Sequence, residues 1–497
     1  MSIKSFLSLP FANYIVFKNK KWKNNAVKHQ SKVFKDLISV GKNTVFGKDH
    51  DFSSIKSYSD FKKKVPVRSY EGLSKYIERV KKGEENVLWS KKPIYLCKTS
   101  GTTSGTKYIP ISEESMSNHI TAARDAILSY IAESKNTSII NGKMIFLQGS
   151  PVLEKTGEIL TGRLSGIVAH HVPSYLTKNR LPSFKTNCIE DWELKIDEIV
   201  NETLSENMSL ISGIPPWVQM YFEKLKQRTG KNIKNIFPHF DLFIYGGVNF
   251  EPYRKSFEKL IGKRVDGIEL YPASEGFIAY QDSQKKDGML LCVNHGIFYE
   301  FIPSVEFFDE SPSRVSLEDV VLGINYVIIL NTNAGLWGYN IGDTIKFVSV
   351  NPYRVVVTGR IKHFTSAFGE HVIAEEVEKS LKLTLENFPI RINELHLAPQ
   401  VSPKNGLPYH EWFIEFDGEV KNLSTFSKEL DKNLQKLNTY YRDLIKGSVL
   451  QPLKVTVLKK GSFRSYMKSI GKLGGQNKVP RLANDREIAD KLSKYKL

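Results

Sequence analysis

Apolar positions recur three and four residues apart through much of the first ninety residues. Residues 27–40 carry this spacing and residues from Asp60 onward repeat it, which predicts a run of helices. The opening segment through Trp22 mixes Phe, Leu and Ile with lysines. It reads as a helix packed on its own domain, and a place on a membrane surface is the competing reading. At residues 94–97 the pattern changes to a short apolar strand, which enters a stretch dense in Thr, Ser and Gly from Lys98 to Lys107. A helix is expected from Ser112, with Glu113 and Glu114 in the first turn, where acidic groups suit the helix dipole.

Residues 144–147 read as a buried strand, residues 211–214 as a strand ending at Pro215-Pro216, and residues 241–245 as a strand stopped by Gly246-Gly247. Further along, residues 326–330 lead toward a turn at Gly342-Asp343, and a strand over 354–358 ends in Gly359-Arg360. Beyond it come an amphipathic helix over 370–383 and strands at 411–416 and 453–458. Strands alternating with helices predict an α/β fold with substantial sheet. The closing stretch has the size of a small α+β domain, so the expected division is 1–360 and 361–497.

Length agrees with two units, since 497 residues exceed one ordinary core. A chain 41% hydrophobic and 11% aromatic can build a sizeable interior, which argues against disorder. The formal net charge of +18 favours anionic ligands without choosing among them. The lysines are scattered and no zinc-finger, basic-zipper or RNA-binding signature is present, so nucleic acid is not an expected partner. Cys97, Cys188 and Cys292 lie too far apart for a CxxC site or a disulfide framework. With no signal-peptide pattern and no stretch long enough to span a bilayer, a cytoplasmic protein is expected, without integral membrane association. Oligomeric state is not legible.

The strongest local signal is Thr99-Ser100-Gly101-Thr102-Thr103-Ser104-Gly105-Thr106-Lys107. Glycines allow a sharp turn in which backbone N–H groups converge on phosphate oxygens, hydroxyls add donors and Lys107 adds charge. It is not a Walker A loop, because three residues separate the glycines and Thr106 precedes the lysine. Nor is it a Gly-x-Ser-x-Gly elbow, since Ser104 stands one place late. Alone, such a turn is as often an ordinary surface loop. Tyr271-Pro272-Ala273-Ser274-Glu275-Gly276 offers an aromatic face for a base and a carboxylate for a hard cation; a helix N-terminal acid is the competing reading of Glu275. Asp343 suits two ribose hydroxyls and Arg360 adds a guanidinium. His170-His171 lacks a third ligand at sensible spacing and reads as structural. His119 reads as helix surface, with a nucleotide-facing position as the alternative.

The order of these elements resembles the adenylate-forming superfamily of acyl-CoA synthetases, luciferases and amino-acid-activating domains. One branch is closer, the Gretchen-Hagen-type (auxin-responsive) acyl acid amido synthetases, and the resemblance covers nearly the whole chain. Phe46-Gly47-Lys48-Asp49-His50-Asp51-Phe52, Val65-Pro66, Tyr70-Glu71 and Lys82-Gly83-Glu84 look like its N-terminal landmarks. Tyr299-Glu300-Phe301-Ile302-Pro303 resembles the central one, and Gly475-Gln476-Asn477-Lys478-Val479-Pro480-Arg481 the C-terminal one. Two departures stand out: Thr99 replaces the first serine of the loop, and Asn340 replaces the arginine of the third motif.

The resemblance implies a large N-terminal adenylate-forming domain and a small mobile α+β C-terminal domain. It implies ATP with AMP as product, Mg²⁺, a small carboxylic acid, and an amino acid or CoA as acceptor. Phosphates fall to Thr99, Ser100, Gly101, Thr102, Thr103, Gly105 and Lys107. The base falls to Tyr271 with Gly246, Gly247 and Ser274, the ribose to Asp343 and Arg360, and the metal to Glu275. Lys478 is the implied catalytic residue, reaching in from the small domain as that domain swings about Ile361-Lys362. An acyl-CoA or aryl-CoA ligase, and a non-catalytic nucleotide-binding protein on the same fold, are the alternatives. On this reading Lys478→Ala retains ATP binding but loses adenylation; near-normal pyrophosphate release by that variant would contradict the assignment.

Overall fold

The computed structural model describes residues 3–102, 105–172, 178–247, 250–361, 364–365, 367–370, 372–388, 390–418, 420, 422–470 and 479–497. The opening run is helical, as its spacing predicts: α1 (Ile3–Lys23), α2 (Ala26–Gly41), α3 (Val45–Asp49), α4 (Tyr58–Lys64) and α5 (Tyr70–Lys81). The glycine-rich segment is the tip of a hairpin between β1 (Tyr95–Thr102) and β2 (Gly105–Ile111). Ser112 then caps α6 (Glu113–Ser134) by accepting the Ser115 amide at 3.0 Å, so the predicted start is the observed one.

Among the described residues, eleven strands form one mixed sheet. Its parallel half consists of β3 (Lys143–Phe146), β6 (Arg180–Leu181), β7 (Met208–Ser212), β8 (Leu242–Gly246) and β9 (Asp266–Ala273). Residues 208–211 are all buried, as a parallel strand covered on both faces requires. From β9 the pairing turns antiparallel through β10 (Gly276–Tyr280), β11 (Met289–Leu291), β15 (Tyr353–Arg360), β14 (Tyr339–Val350), β13 (Asn325–Thr332) and β12 (Ile297–Pro303). A second sheet places β4 (Glu154–Thr156) and β5 (Ile159–Gly162) beside the β1–β2 hairpin.

After the short pair β16 (Phe364–Thr365) and β17 (Val372–Ile373), the chain builds a three-stranded sheet of β18 (Ile392–Gln400), β19 (Tyr409–Phe416) and β20 (Lys454–Leu458). Helices Ala374–Leu385, Leu423–Leu437 and Thr439–Lys446 accompany it. The first of these begins four residues later than its amphipathic pattern suggests, because β17 holds residues 372–373 extended. Beneath it, His410 Nε2 meets Glu370 Oε1 at 2.8 Å with both side chains buried. The fold is thus a large α/β N-terminal domain and a smaller α+β C-terminal one. Their apolar cores are continuous: Ile211, Phe222 and Phe243 belong to the same cluster as Trp412, Phe426 and Leu434.

Two expectations and one competing reading change. Gly342-Asp343 is not a turn between strands but lies within β14, where Gly342 takes φ +86° and kinks the strand. Glu275 stands in the tight β9–β10 turn and not at a helix N-terminus. His119 is buried, edge-on to Phe277 at 6.2 Å; burial, reinforced by nearby His295, lowers its imidazole to about 4. The histidine pair is structural, with His170 Nε2 2.8 Å from the Pro151 carbonyl and His171 Nε2 3.0 Å from the Tyr95 hydroxyl.

The Tyr299–Pro303 landmark also acquires a physical reason. Glu300 is fully buried on β12 and receives a bidentate guanidinium from Arg314, Nη2 donating to Oε1 at 2.9 Å and Nε to Oε2 at 3.0 Å. It also accepts the Asn331 amide at 2.9 Å and the Tyr58 hydroxyl at 3.0 Å. Removing one partner of such a pair strands a buried charge. Arg314→Met is therefore expected to cost about 3–5 kcal/mol, read as a lowered urea midpoint. Arg314→Met with Glu300→Leu should be less destabilised than the single variant, and a single-variant loss below about 1 kcal/mol would contradict this role.

Candidate functional site

The sequence candidates converge where the parallel half of the sheet gives way to the antiparallel half. Ligand crevices in open α/β sheets form outside the carboxyl ends of strands, and β8 and β9 end here. Gly246 pairs with Leu270 so closely that a Cβ would lie 2.3 Å from the Leu270 carbonyl oxygen. Any side chain at this position would force β8 away from β9. Tyr271 follows Leu270 on β9, and Ser274 and Glu275 make the turn into β10.

Asp343 and Arg360 are cross-strand partners on β14 and β15. Arg360 Nε donates to Asp343 Oδ1 at 2.5 Å and the Tyr271 hydroxyl donates to Asp343 Oδ2 at 2.6 Å. Each carboxylate oxygen retains a further lone pair, so Asp343 can still accept from a ligand. Burial raises the Tyr271 phenol well above its ordinary range, and the Asp343 charge adds to the shift. For Arg360 burial acts downward, but Asp343 outweighs it and the guanidinium is held more firmly charged.

Asn340 explains the kink that presents Asp343. Its side-chain oxygen accepts the Gly342 amide at 2.7 Å, while its own amide donates to the Arg68 carbonyl at 2.9 Å. A long cationic side chain at 340 would forgo the bond to Gly342. The residue is spent on shaping the strand.

The phosphate-loop candidates occupy the β1–β2 hairpin, where Thr99 pairs with Lys107 and Thr102 with Gly105, with a bulge between. Thr103 and Ser104 lie outside the described residues. The hairpin is held to the β9–β10 turn by Cys97, whose thiol donates to the Ser274 hydroxyl at 3.1 Å. From the helical side, Tyr70 accepts the Tyr108 amide at 3.0 Å and its ring lies 5.9 Å from Lys107 Nζ, which gives the Tyr70-Glu71 landmark a role in supporting β2. Burial raises the Glu275 carboxyl above its usual range; Lys107 pulls it back only in part, with Arg360 also pulling down and Asp343 pushing up. Lys107, Glu275, Asp343 and Arg360 therefore share one electrostatic environment.

Lys478 lies outside the described residues. The C-terminal domain nevertheless touches the hairpin, through residues the sequence reading missed. Tyr440 donates its hydroxyl to the Lys98 carbonyl at 3.2 Å, Arg163 Nη2 pairs with Asp443 at 2.8 Å, and the Arg163 guanidinium covers the Tyr440 ring at 4.6 Å. These pairings join positions some 280 residues or more apart, and nothing in their local sequence signals them.

Comparison with known proteins identifies relatives of this chain. Models of the GH3 family match the N-terminal domain over residues 18–184, the central domain over 290–360 and the C-terminal domain over 371–487. A jasmonoyl–L-amino acid synthetase of Nicotiana attenuata is 22% identical, with 86% of each chain covered. An indole-3-acetic acid-amido synthetase of Arabidopsis thaliana is 22% identical, covering 93% of this chain and 90% of its own. Among solved structures, the GH3.15 acyl acid amido synthetase in complex with 2,4-DB superposes with a TM-score of 0.64 at 16% identity, covering 98% of this chain and 96% of that one. A 2-hydroxyisobutyryl-CoA ligase shares the fold at a TM-score of 0.57 and 13% identity, over 94% of this chain and 92% of its own. Three domain matches in their family order span the β1–β2 hairpin, the Asp343–Arg360 pair and the C-terminal sheet: the chain belongs to the GH3 family.

Proposed function

We propose that this chain is an ATP-dependent acyl acid amido synthetase. It joins a carboxylic acid to AMP, releasing pyrophosphate, and then passes the acyl group to the amine of an amino acid, releasing AMP. The observation that carries the reading is the convergence of Asp343, bonded to both Tyr271 and Arg360, with Glu275 and the β1–β2 hairpin at the ends of β8 and β9.

In this site the hairpin amides and hydroxyls of residues 99–105, with Lys107, cradle the triphosphate. Asp343 accepts the ribose hydroxyls while Arg360 holds it in place. Tyr271 is oriented by its bond to Asp343, so its ring borders the base beside Gly246, Gly247 and Ser274. Among the described residues no group of three or more His, Cys, Asp or Glu side chains is placed to hold a metal. That fits Mg²⁺, which takes one or two protein carboxylates and completes its shell with phosphate oxygens and water; Glu275 is the carboxylate present. When bound, the ion neutralises phosphate charge.

Adenylation then needs little covalent help from the protein. The acid's carboxylate oxygen attacks the α-phosphorus, the bond to pyrophosphate breaks, and positioned positive groups stabilise the charge as it moves. Lys478 is the residue that reaches the developing charge from the C-terminal domain. An amine next attacks the acyl carbon and AMP departs. Ile361-Lys362 is the proposed hinge, and the Tyr440–Lys98 and Arg163–Asp443 contacts are ones that a swing would open. An amine acceptor is favoured by the curated amido synthetase relatives of this chain.

ATP–pyrophosphate exchange with pooled aromatic and aliphatic carboxylic acids tests the first half-reaction. Acid-dependent exchange is expected, followed by product formation with amino acids and not with CoA; consumption of the adenylate by CoA alone would overturn the acceptor. Asp343→Asn should raise KM for ATP about tenfold with a smaller change in kcat. Glu275→Gln should lower exchange by about a hundredfold.

The raised Glu275 carboxyl sets a pH dependence. Its ionised form is the metal ligand, and with a raised pKa that form is lost on acidification earlier than an ordinary carboxylate would lose it. The Mg²⁺ concentration for half-maximal exchange should therefore rise between about pH 8 and about pH 5.5. A flat Mg²⁺ requirement over that range would contradict the assignment.

A further inference from the structure

Helix α1 presents two apolar faces. On one, Ala12, Ile15 and Trp22 are buried. Its polar members are satisfied: Ser5 donates to Thr137 and Asn141 at 3.2 and 2.7 Å, Asn19 donates to Asp125 of α6 at 2.8 Å, and Trp22 donates to Asn19. This face packs on the domain, which is where the opening segment is expected to lie. The opposite face carries Phe6, Leu7, Phe11, Tyr14 and Phe17, all exposed; Phe6 and Phe17 reach 68% and 71%. Their spacing of one, three and four places them in one stripe along three turns of the helix.

The chemistry around the stripe is one-sided. Helix α1 contains no acidic residue, and Lys18, Lys20 and Lys21 at its C-terminal end are exposed. Lys23 is drawn away to Asp282, at 2.8 Å, and does not belong to this rim. No helix among the described residues is long and apolar enough to cross a membrane. An apolar stripe on a helix whose only charged residues are cationic is what an interfacial helix requires: aromatic side chains enter the headgroup boundary while lysines meet anionic lipid.

We infer that the outer face of α1 docks the protein on an anionic membrane surface, with Phe6, Leu7, Phe11, Tyr14 and Phe17 inserted and Lys18, Lys20 and Lys21 on the lipid headgroups. A second copy of the chain is a poorer occupant, since α1 carries no acidic residue to pair with the copy's exposed lysines, whereas an anionic lipid surface supplies that charge. The partner is the charged lipid surface itself. The helix lies parallel to it, held by its other face on α6, and the site's chemistry plays no part in the binding.

Co-sedimentation of the full chain tests this. Vesicles of phosphatidylcholine with about 30% phosphatidylserine should pellet the protein and vesicles of phosphatidylcholine alone should do so far less, with binding to the former weakening as salt is raised. Phe11→Ser, Tyr14→Ser and Phe17→Ser combined should lower the partition coefficient at least tenfold, about the loss expected from several apolar anchors, at an unchanged melting temperature. Lys18→Gln, Lys20→Gln and Lys21→Gln combined should remove the salt-sensitive part and leave a weak, salt-insensitive residue. Failure of the unmodified protein to pellet with the anionic vesicles would overturn the proposal, as would undiminished binding by the serine variant. So would a concentration-dependent dimer that the serine variant disperses, because a second copy would then cover the face.

Discussion

The site depends on one carboxylate that serves two halves of a sheet. Asp343 stands on β14, in the antiparallel half, yet one of its oxygens is bonded to Tyr271 of β9, where the parallel half ends. The other is bonded to Arg360, its cross-strand neighbour on β15. Three strands separate β9 from β14 in the sheet order, so this contact closes the seam side chain to side chain where the backbone ladder does not. The Gly342 kink, stabilised by Asn340, is what turns the carboxylate toward Tyr271. Glycine at 246 lets β8 lie close enough to β9 for the same corner to form.

Electrostatics at the corner follow from its composition. Two carboxylates, one guanidinium and one ammonium share this corner, and the protonation of Glu275 and of Arg360 is shifted by these neighbours. Burial opposes the charge on Glu275, whereas Arg360 is held charged because Asp343 more than offsets its desolvation. A site poised in this way favours a ligand that brings both negative phosphate and a cation, since each relieves part of the imbalance. The high net positive charge of the chain supplies longer-range attraction for such a ligand.

Much of this was legible in the sequence, for identifiable reasons. Helix α6 could be placed from Ser112, Glu113 and Glu114 because capping is a local interaction. Strands β3 and β8 were legible because their buried stretches are short apolar runs, whereas the strand expected over 211–214 lies at Met208–Ser212, its run interrupted by Ser209. The convergence of Tyr271, Asp343 and Arg360 was legible only through family order, since residues 72 and 17 positions apart leave no periodic signal. Gly342-Asp343 was misread as a turn because Gly-Asp has the same local chemistry whether the strand kinks or ends. His119 was misplaced because a helix covered on more than one side hides which face is outside. The Arg163–Asp443 and Tyr440–Lys98 contacts lay beyond sequence reasoning altogether, being products of how the C-terminal domain sits on the hairpin.

The central claim is that a carboxylate oxygen of the acid becomes bonded to the α-phosphorus of ATP. Its most direct test is a full turnover with acid labelled by ¹⁸O in the carboxylate, in the presence of amino acids, followed by mass analysis of the nucleotide. One ¹⁸O should appear in AMP, because the bridging oxygen of the acyl-adenylate leaves with AMP when the amine attacks the acyl carbon. Label in inorganic phosphate with ADP as the nucleotide would show an acyl-phosphate route, and amide formed with unlabelled AMP would show that no acyl-adenylate lies on the path.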